Sequence, residues 1–202
     1  MDEKLIALFD DAIWVGKALF YRNKVSGSSA NMSFLYKDNI YITRSGSCFG
    51  NLKVKDFAKV DFYGNTLNNI LPSKELKLHI ILYNKKGTQI KAIVHTHSFY
   101  STMWSMAEHK IISDIMPSYT PYLKMKLGKV GLIEYKPPGS EELFEVFKEK
   151  IEYSDGFILS NHGPIIGSDN ILDVFYILEE LEESSRIALE LRDKNIKALN
   201  SE

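Results

Sequence analysis

Apolar residues recur along the chain at two spacings, one helical and one extended. Residues 3 to 22 repeat large apolar side chains every three or four positions, as at Leu5 and Phe9, which predicts an amphipathic helix. The runs MSFLY and NIYITRSG are rich in β-forming residues and are joined by Lys37 and Asp38, which predicts a hairpin. The run KVDFYGN ends in another turn, so we expect antiparallel pairing in this part of the chain.

The rest of the chain alternates between helix-like and strand-like segments. From Ser73 a helix is expected, because Leu76 and Ile80 share one face, and residues 171 to 192 predict a long amphipathic helix. Between them, the pattern predicts a buried strand (QIKAIVHTH), a helix (FYSTMWSMAEHK), an irregular stretch (IMPSYTPYL), a helix around Leu143, Val146 and Phe147, and a strand (GFILS). The predicted class is α/β, with a substantially antiparallel sheet flanked by helices.

The length and charge of the chain limit its organisation and its partners. A chain of 202 residues buries most of its apolar surface in one core, and no stretch resembles a linker, so we predict a single domain over residues 1 to 202. The formal net charge of −1 is far from that of a non-specific nucleic-acid binder. We therefore expect no nucleic-acid partner, and an anionic substrate would need a local site.

The opening segment MDEKLIALFDD carries acidic residues in a helical pattern, unlike a secretory signal, which has a basic start and an unbroken apolar run. No segment reaches the roughly 18 consecutive apolar residues of a membrane span. We therefore expect a cytoplasmic protein without a membrane partner. The single cysteine, Cys48, excludes an internal disulfide and a cysteine-rich zinc site, so a metal would be bound by His, Asp or Glu.

Three of the five histidines lie at the end of a predicted strand or shortly after one. His95 and His97 are two residues apart, and side chains at that spacing in a strand point to one face. They are a workable pair of zinc ligands, although a hydrogen-bonded pair at the edge of the core would give the same pattern. His162 lies where Gly163 allows a sharp turn, and a loop histidine capped by Asn161 is the alternative interpretation.

Three neutral imidazoles with one open position describe a catalytic zinc site. Glu75 is predicted in the first turn of its helix, where the helix dipole favours a carboxylate, and this is a sufficient structural reason for it. In a functional role, its carboxylate would ligate the metal in the empty site and move protons once substrate arrives. The remaining histidines, His79 and His109, lie in predicted helices and are interpreted as ordinary surface or packed residues.

The segments SSANMS, YITRSG, LPSKELKLH, IVHTHS and SNHGPIIGSDNILDVFYILEELEESSRIAL resemble, in this order and spacing, the class II aldolase and adducin family. The resemblance extends from about Ala18 to Leu191. It implies a three-layer α/β/α fold with a central, largely antiparallel sheet flanked by helices. Within the family, PSKE followed by H-x-H, the segment PSYTPYLKMKLGKVGLIEYKPPG and the acidic EELEES most resemble the 3-oxo-tetronate 4-phosphate decarboxylases.

The resemblance also implies a role for each matching residue. One zinc ion per subunit would be bound by His95, His97, His162 and, without substrate, by Glu75, which would also act as acid and base. Tyr122 would reach the site from a neighbouring subunit of a homotetramer, as a second catalytic residue: Glu75 or Tyr122 would handle the C2 oxygen of the substrate and its reprotonation. The substrate, a phosphorylated sugar acid or sugar phosphate, would be bound through its phosphate by Ser28, Asn31, Ser45, Gly46, Ser73 and Lys74.

Three positions depart from the common family pattern. Ala30 stands where many aldolases have glycine, so its loop is expected not to need a positive φ. Lys74 follows Ser73 and adds a cation that could offset the second anion of a phosphorylated sugar acid. Arg44 stands where proline is common, and it either contributes in the same way or is simply solvated.

The implied reaction is decarboxylation of a 3-oxo-tetronate 4-phosphate to dihydroxyacetone phosphate, through an enediolate that the metal would stabilise. A sugar-phosphate aldolase or epimerase of the fuculose- or ribulose-phosphate type is the alternative, because an aldolase of the family passes through the same enediolate. A third hypothesis is a non-catalytic adducin-like module, against which the complete set of three histidines and one glutamate argues. The apolar cluster around Tyr119, Pro121, Tyr122 and Met125 is compatible with a subunit interface or a packed loop.

Overall fold

The computed structural model describes residues 2–85, 87 and 89–199. The strands in these ranges are β1 (Asn31–Tyr36), β2 (Asn39–Thr43), β3 (Phe57–Val60), β4 (Ala92–His95), β5 (Val130–Ile133), β6 (Gly156–Leu159) and β7 (Gly163–Ser168). They form one sheet in the order β3-β2-β1-β4-β7-β6-β5. Neighbours run antiparallel except β5 and β6, which are parallel. The predicted, largely antiparallel sheet is thus confirmed.

The helices in the same ranges are α1 (Glu3–Tyr21), α2 (Leu76–Tyr83), α3 (Phe99–Ser105), α4 (Tyr122–Lys126), α5 (Glu141–Lys150) and α6 (Ile171–Leu191). Single 3-10 turns lie at Phe49–Asn51, Val54–Asp56 and Ile151–Tyr153. Three helices begin at a capping side chain, because Asp2, Ser140 and Asn170 each accept a hydrogen bond from an N–H of the first turn. Among the described helices, none combines the length and the apolar character that a membrane span requires.

Helices cover both faces of the sheet, because its central strands are apolar on both sides. In β4, Val94 packs in the cluster formed with α1 and α6, whereas its neighbour Ile93 packs in a second cluster with α2 and α5. Ile158 and Phe157 of β6 divide between the same two clusters. The result is the expected three-layer α/β/α arrangement. Odd-numbered residues of β4 therefore face the layer that contains α2.

The long amphipathic segments were predicted well. Helices α1 and α6 end one residue before their predicted ends, and β1 and β2 form the expected hairpin. The apolar face predicted for the next helix is confirmed, since Leu76, Ile80 and Tyr83 belong to one cluster with strands β2 and β3. That helix begins at Leu76, three residues later than expected, because the residues from Ser73 form a turn instead.

Several predictions in the second half were wrong in extent or missing. The segment QIKAIVHTH contains only the short strand β4, and the helix predicted over residues 99–110 ends at Ser105. His109 therefore lies outside a helix, where its Nε2 is 2.8 Å from the Trp104 carbonyl oxygen. Strand β7 was not predicted, and the short helix α4 begins inside the stretch expected to be irregular.

The β6–β7 hairpin brings Gly163 against the end of β4. Its φ is +148°, and a Cβ built on it would lie 2.1 Å from the Thr96 carbonyl oxygen. We expect Gly163→Ala to lower the free energy of unfolding by about 3 kcal/mol, because backbone strain and steric overlap both oppose the added methyl group. Urea unfolding followed by circular dichroism measures this change.

Gly27→Ala is the matched control for this substitution. Gly27 also has a positive φ, +57°, but no heavy atom lies within 4 Å of a Cβ built on it. This variant should show only the backbone strain, about 1 kcal/mol. Equal losses in the two variants would contradict the claim that the close approach of Thr96 demands glycine at position 163.

Candidate metal centre

Strand β1 and helix α2 carry polar residues at matching spacings. Asn31 and Ser33 share one face of the strand, and Glu75 and His79 are four residues apart at the start of the helix. Asn31 Nδ2 donates to Glu75 Oε2 at 2.7 Å, and His79 Nε2 lies 2.6 Å from Asn31 Oδ1. Glu75 is the N-cap residue rather than a first-turn residue as predicted, and its side chain makes no capping hydrogen bond. Its carboxylate is thus held by the sheet and not by the helix terminus.

The pairing of β4 with β1 and β7 sets the position of His95. It lies opposite Asn31 on one side and Ile165 on the other, and its Nδ1 is 2.8 Å from the Pro164 carbonyl oxygen. Because a carbonyl oxygen only accepts, Nδ1 carries the hydrogen and Nε2 keeps its lone pair. His97, two residues further on, places its Nε2 3.1 Å from His95 Nε2.

The turn between β6 and β7 supplies the third imidazole. Asn161 adopts φ +57°, a left-handed conformation that asparagine tolerates better than most residues, and His162 follows it. The Asn161 side chain bonds to the Ser160 hydroxyl rather than capping the histidine. His162 Nε2 instead lies 3.2 Å from His95 Nε2.

These side chains converge on one point. The ligand nitrogens of the three histidines lie within 4.8 Å of one another. The two Glu75 oxygens lie 3.5 Å from the Nε2 atoms of His95 and His162. Neighbouring ligand atoms of a tetrahedral zinc site with bonds of 2.0–2.1 Å lie about 3.3 Å apart. The observed separations of 3.1, 3.2 and 3.5 Å fit that spacing.

The surroundings keep the imidazoles neutral. Burial lowers the pKa of His95 and of His162 to about 3, and it also lowers the pKa of His97. Neutral imidazole is the form that ligates a metal ion. Glu75 Oε1 is buried without a hydrogen-bond partner among the described residues. A buried carboxylate oxygen beside the ring nitrogens of three neutral histidines is explained by a cation among them, so the donor set fits a divalent ion.

An open cleft of about 200 Å³ leads to this cluster. Glu75, His97 and His162 line it, and so does Arg44. The cleft is also lined by all of the residues predicted to bind phosphate, namely Ser28, Asn31, Ser45, Gly46, Ser73 and Lys74. The fold thus brings together residues from five separate segments, while the role of the six candidates in binding phosphate stays a prediction.

The loops at the mouth of the cleft are tied to each other by backbone hydrogen bonds. The Ser73 N–H donates to the Thr43 carbonyl oxygen at 3.1 Å. Gly46, at φ +73°, is the third residue of a turn that the Ser47 N–H closes onto the Arg44 carbonyl oxygen. That position favours glycine. The Gly46 N–H lies outside the closing hydrogen bond of the turn, where an anion could accept it.

The structure shows the environment of the three positions that depart from the common family pattern. The φ angle of Ala30 is not positive, as we expected for an alanine in place of glycine. Arg44 donates from Nε to Asp56 Oδ1 at 2.9 Å, so it is held by an ion pair rather than simply solvated. Together with Lys74 it places two cationic side chains at the cleft wall.

Tyr122 is not part of the cleft of its own chain. It begins α4, is 57% exposed, and is absent from the residues that line the cleft. The sequence interpretation also missed Pro138 and Gly139, which line the cleft, and His79, which is fully buried beside Asn31. The signal for His79 was its position four residues after Glu75.

The sequence of this chain is similar to a known protein family and to enzymes of known function. Residues 10–189 match the family model described as Class II Aldolase and Adducin N-terminal domain. The chain is 33% identical over 196 residues to the 3-oxo-tetronate 4-phosphate decarboxylase of Escherichia coli K12, which covers 96% of this chain and 92% of that protein. It is 36% identical over 177 residues to the L-fuculose phosphate aldolase of Methanocaldococcus jannaschii, which covers 88% of this chain and 93% of that protein.

The fold is also similar to those of solved structures. The crystal structure of YgbL from Escherichia coli matches with a TM-score of 0.90 at 32% identity, covering 96% of this chain and 94% of that chain. An L-fuculose 1-phosphate aldolase matches with a TM-score of 0.85 at 27% identity, covering 96% of this chain and 91% of that chain. The structural similarity therefore extends over nearly the whole chain.

Proposed function

Because this chain belongs to the class II aldolase and adducin family, we propose that it is a lyase that decarboxylates a 3-oxo-tetronate 4-phosphate to dihydroxyacetone phosphate. The observation that carries the proposal is the convergence of three histidines and Glu75 beside a cleft with two cationic residues. Similarity to a 3-oxo-tetronate 4-phosphate decarboxylase over 96% of the chain supports the substrate class.

The proposed metal is zinc, one ion per subunit, bound by His95, His97 and His162 and by Glu75 when substrate is absent. Imidazole nitrogens with one carboxylate are a donor set that zinc accepts. When bound, the ion supplies positive charge that stabilises negative charge developing on the substrate oxygens. The Pro164 carbonyl oxygen accepts the His95 Nδ1–H and so orients this ring with Nε2 toward the cluster.

The proposed substrate has a carboxylate at C1, a hydroxyl at C2, a ketone at C3 and a phosphate at C4. The C1–C2 bond breaks, its electron pair moves to C2 in conjugation with the C3 carbonyl, and carbon dioxide leaves. A proton must then be added at C2 to give dihydroxyacetone phosphate. Glu75 is suited to move this proton, because its carboxylate lines the cleft and is oriented by the Asn31 amide.

The phosphate is proposed to bind at the loops that carry Ser28, Asn31, Ser45, Gly46, Ser73 and Lys74. These residues offer hydroxyl, amide and backbone N–H donors and one ammonium group, all of which phosphate oxygens accept. Asn31 has two amide N–H groups and gives one of them to Glu75, so the other is available to a ligand. One asparagine is therefore able to orient the carboxylate and contact the phosphate.

The proposal is tested with zinc-loaded protein and 3-oxo-tetronates with and without the 4-phosphate. We expect carbon dioxide and dihydroxyacetone phosphate in equal amounts from the phosphorylated compound. The unphosphorylated compound should react with kcat/KM lower by about 100-fold or more, because it forms none of the charge-assisted hydrogen bonds. Folded, zinc-loaded protein that releases no carbon dioxide from either compound would overturn the decarboxylase assignment.

Lys74→Met tests the cation beside the phosphate loop. We expect KM for the phosphorylated substrate to rise roughly 10-fold to 100-fold, since a hydrogen bond to a charged group contributes about 1.5–3 kcal/mol. Lys77→Met is the matched control, because Lys77 pairs with Glu141 outside the cleft. Steady-state kinetics of both variants decide the point, and a similar change in KM for the two would contradict a local role for Lys74.

A sugar-phosphate aldolase is the second candidate, favoured by the 36% identity to an L-fuculose phosphate aldolase. The two reactions differ in the bond that is broken but use the same kind of charge stabilisation. Release of dihydroxyacetone phosphate together with an aldehyde from L-fuculose 1-phosphate would support this candidate. A non-catalytic module is disfavoured, because the histidines and Glu75 are all present and close together.

We also propose that the active protein is a homotetramer in which Tyr122 reaches the active site of a neighbouring subunit. Two observations support this arrangement: Tyr122 does not line the cleft of its own chain, and its short helix also carries Met125, which is 78% exposed. Large exposed apolar side chains are typical of surfaces that pack against a partner. A monomer mass in sedimentation equilibrium would count against a site shared between subunits.

A further inference from the structure

A row of hydrogen-bonded side chains extends from Glu75 into the protein interior. Glu75 Oε2 accepts from Asn31 Nδ2 at 2.7 Å, and Asn31 Oδ1 lies 2.6 Å from His79 Nε2. His79 Nδ1 lies 2.7 Å from Ser33 Oγ, which lies 2.6 Å from the Tyr83 hydroxyl. We call these five residues the Glu75 network.

The chemistry of the groups determines the direction of every hydrogen bond in the Glu75 network. An ionised carboxylate only accepts, so the Asn31 amide nitrogen faces Glu75 and its oxygen faces His79. His79 must then donate from Nε2, which leaves Nδ1 of a neutral ring to accept from the Ser33 hydroxyl. The Ser33 oxygen is in turn free to accept from Tyr83. All four hydrogen bonds therefore point toward the carboxylate.

Backbone spacing explains why these side chains meet. Asn31 and Ser33 are two residues apart on β1, and Glu75, His79 and Tyr83 follow one another at intervals of four residues on and before α2. A two-residue step along a strand is about 6.6 Å, and a four-residue step along a helix is about 6 Å. The two rows thus remain opposite each other over the length of the network.

His79 has surroundings that suit a fixed neutral donor. It is fully buried, and burial lowers its pKa to about 3, so the ring is uncharged at neutral pH. It does not line the cleft, whereas Asn31 and Glu75 do. Leu78 and Leu82 on the same helix show that an apolar residue is accepted in this layer. Packing alone therefore does not require a histidine at position 79, whereas the hydrogen bonds to Asn31 and Ser33 do require its ring nitrogens.

We propose that His79 is a positioning residue which, with Ser33 and Tyr83 behind it, holds the Asn31 amide in the orientation that directs Glu75 toward the cleft. The inference rests on the proposed function of Glu75 in proton transfer. It assigns His79 no contact with substrate. Its effect passes through Asn31, whose amide would otherwise be able to rotate and present its oxygen to the carboxylate.

The test compares His79→Leu with His79→Gln in the zinc-loaded protein. The leucine variant removes the donor to Asn31, and we expect kcat to fall roughly 10-fold to 100-fold, the range seen for groups behind an active-site ligand. Glutamine places an amide N–H near the position of the histidine Nε2–H, so it should restore most of kcat. Leu78→Ala is the control for loosening of α2, and it should lower stability without lowering kcat.

A second measurement does not depend on activity. Nitrogen-15 NMR of the imidazoles should show His79 neutral and protonated at Nε2, in both zinc-free and zinc-loaded protein. Protonation at Nδ1, or a folded His79→Leu variant with unchanged kcat, would overturn the proposal. If the wild-type protein releases no carbon dioxide but cleaves L-fuculose 1-phosphate, the decarboxylase assignment fails, and the same variants are compared in that reaction.

Discussion

His97→Gln is expected to weaken zinc binding by at least about 100-fold, more than the loss of a group that merely orients a ligand. Activity should fall by about 10³-fold or more, because the ion supplies several kcal/mol of charge stabilisation. The substitution suits this test, since His97 lies beyond the end of β4 and its Nε2 lies 3.1 Å from His95 Nε2 within the histidine cluster. Competition with a chromophoric chelator measures the affinity, and the decarboxylation assay measures the activity.

His109→Gln is the matched control for this variant. His109 is also partly buried and bonds to the Trp104 carbonyl oxygen, but it does not belong to the histidine cluster. Its replacement should leave zinc affinity and activity within about threefold of the wild type, as for most substitutions away from a site. A His97→Gln variant that binds zinc as tightly as wild-type protein would contradict the proposed ligand set.

Glu75→Gln is expected to lower kcat by about 10²-fold to 10⁴-fold, the range that proton transfer by a positioned side chain contributes. Glutamine has nearly the same size and is still able to accept a hydrogen bond from Asn31, so the fold should persist. It cannot take up and release a proton. One zinc ion per chain should still bind, because His95, His97 and His162 remain. Steady-state kinetics with parallel metal analysis checks both expectations.

Glu141→Gln provides the comparison for this change. Glu141 pairs with Lys77 on the surface, and exposed ion pairs contribute about 0–1 kcal/mol to stability. Its kcat should therefore match that of the wild type. If Glu75→Gln keeps full kcat while remaining folded and zinc-loaded, then Glu75 is not the proton-transfer group, and Tyr122 becomes the remaining candidate.

The elements that were predicted correctly are those whose local pattern is long. Helices α1 and α6 span 19 and 21 residues, so their apolar stripes repeat over several turns. Strand β7 was missed because GPIIGS contains two glycines and a proline, and it has no alternation of apolar and polar residues. Its extended form is stabilised by pairing with β4 on one side and β6 on the other. The pairing with β4 comes from a segment distant in the chain, so it leaves no local pattern in the sequence of β7.

The candidate metal centre also contains residues that could be predicted from the sequence and residues that could not. The histidine ligands were predictable, because three of the five histidines lie at or directly after the ends of apolar strands and imidazole nitrogen is a common zinc ligand. The resemblance added Glu75 and the phosphate loops. His79 was interpreted as an ordinary surface or packed residue, since its spacing from Glu75 does not by itself indicate that Asn31 lies 2.6 Å away. Its contact depends on how α2 lies across β1.

From the residues alone, the periods of the long helices, the first hairpin and the identity of the candidate ligands could be derived, because each depends on neighbours a few positions away. The convergence of these side chains on one point could not be derived from the residues alone; they are Asn31, Glu75, His95 and His162. It depends on the register of β1 against β4 and of β4 against β7, and on the packing of α2 over that face. These are contacts between segments tens of residues apart, and local spacing carries no information about their distances.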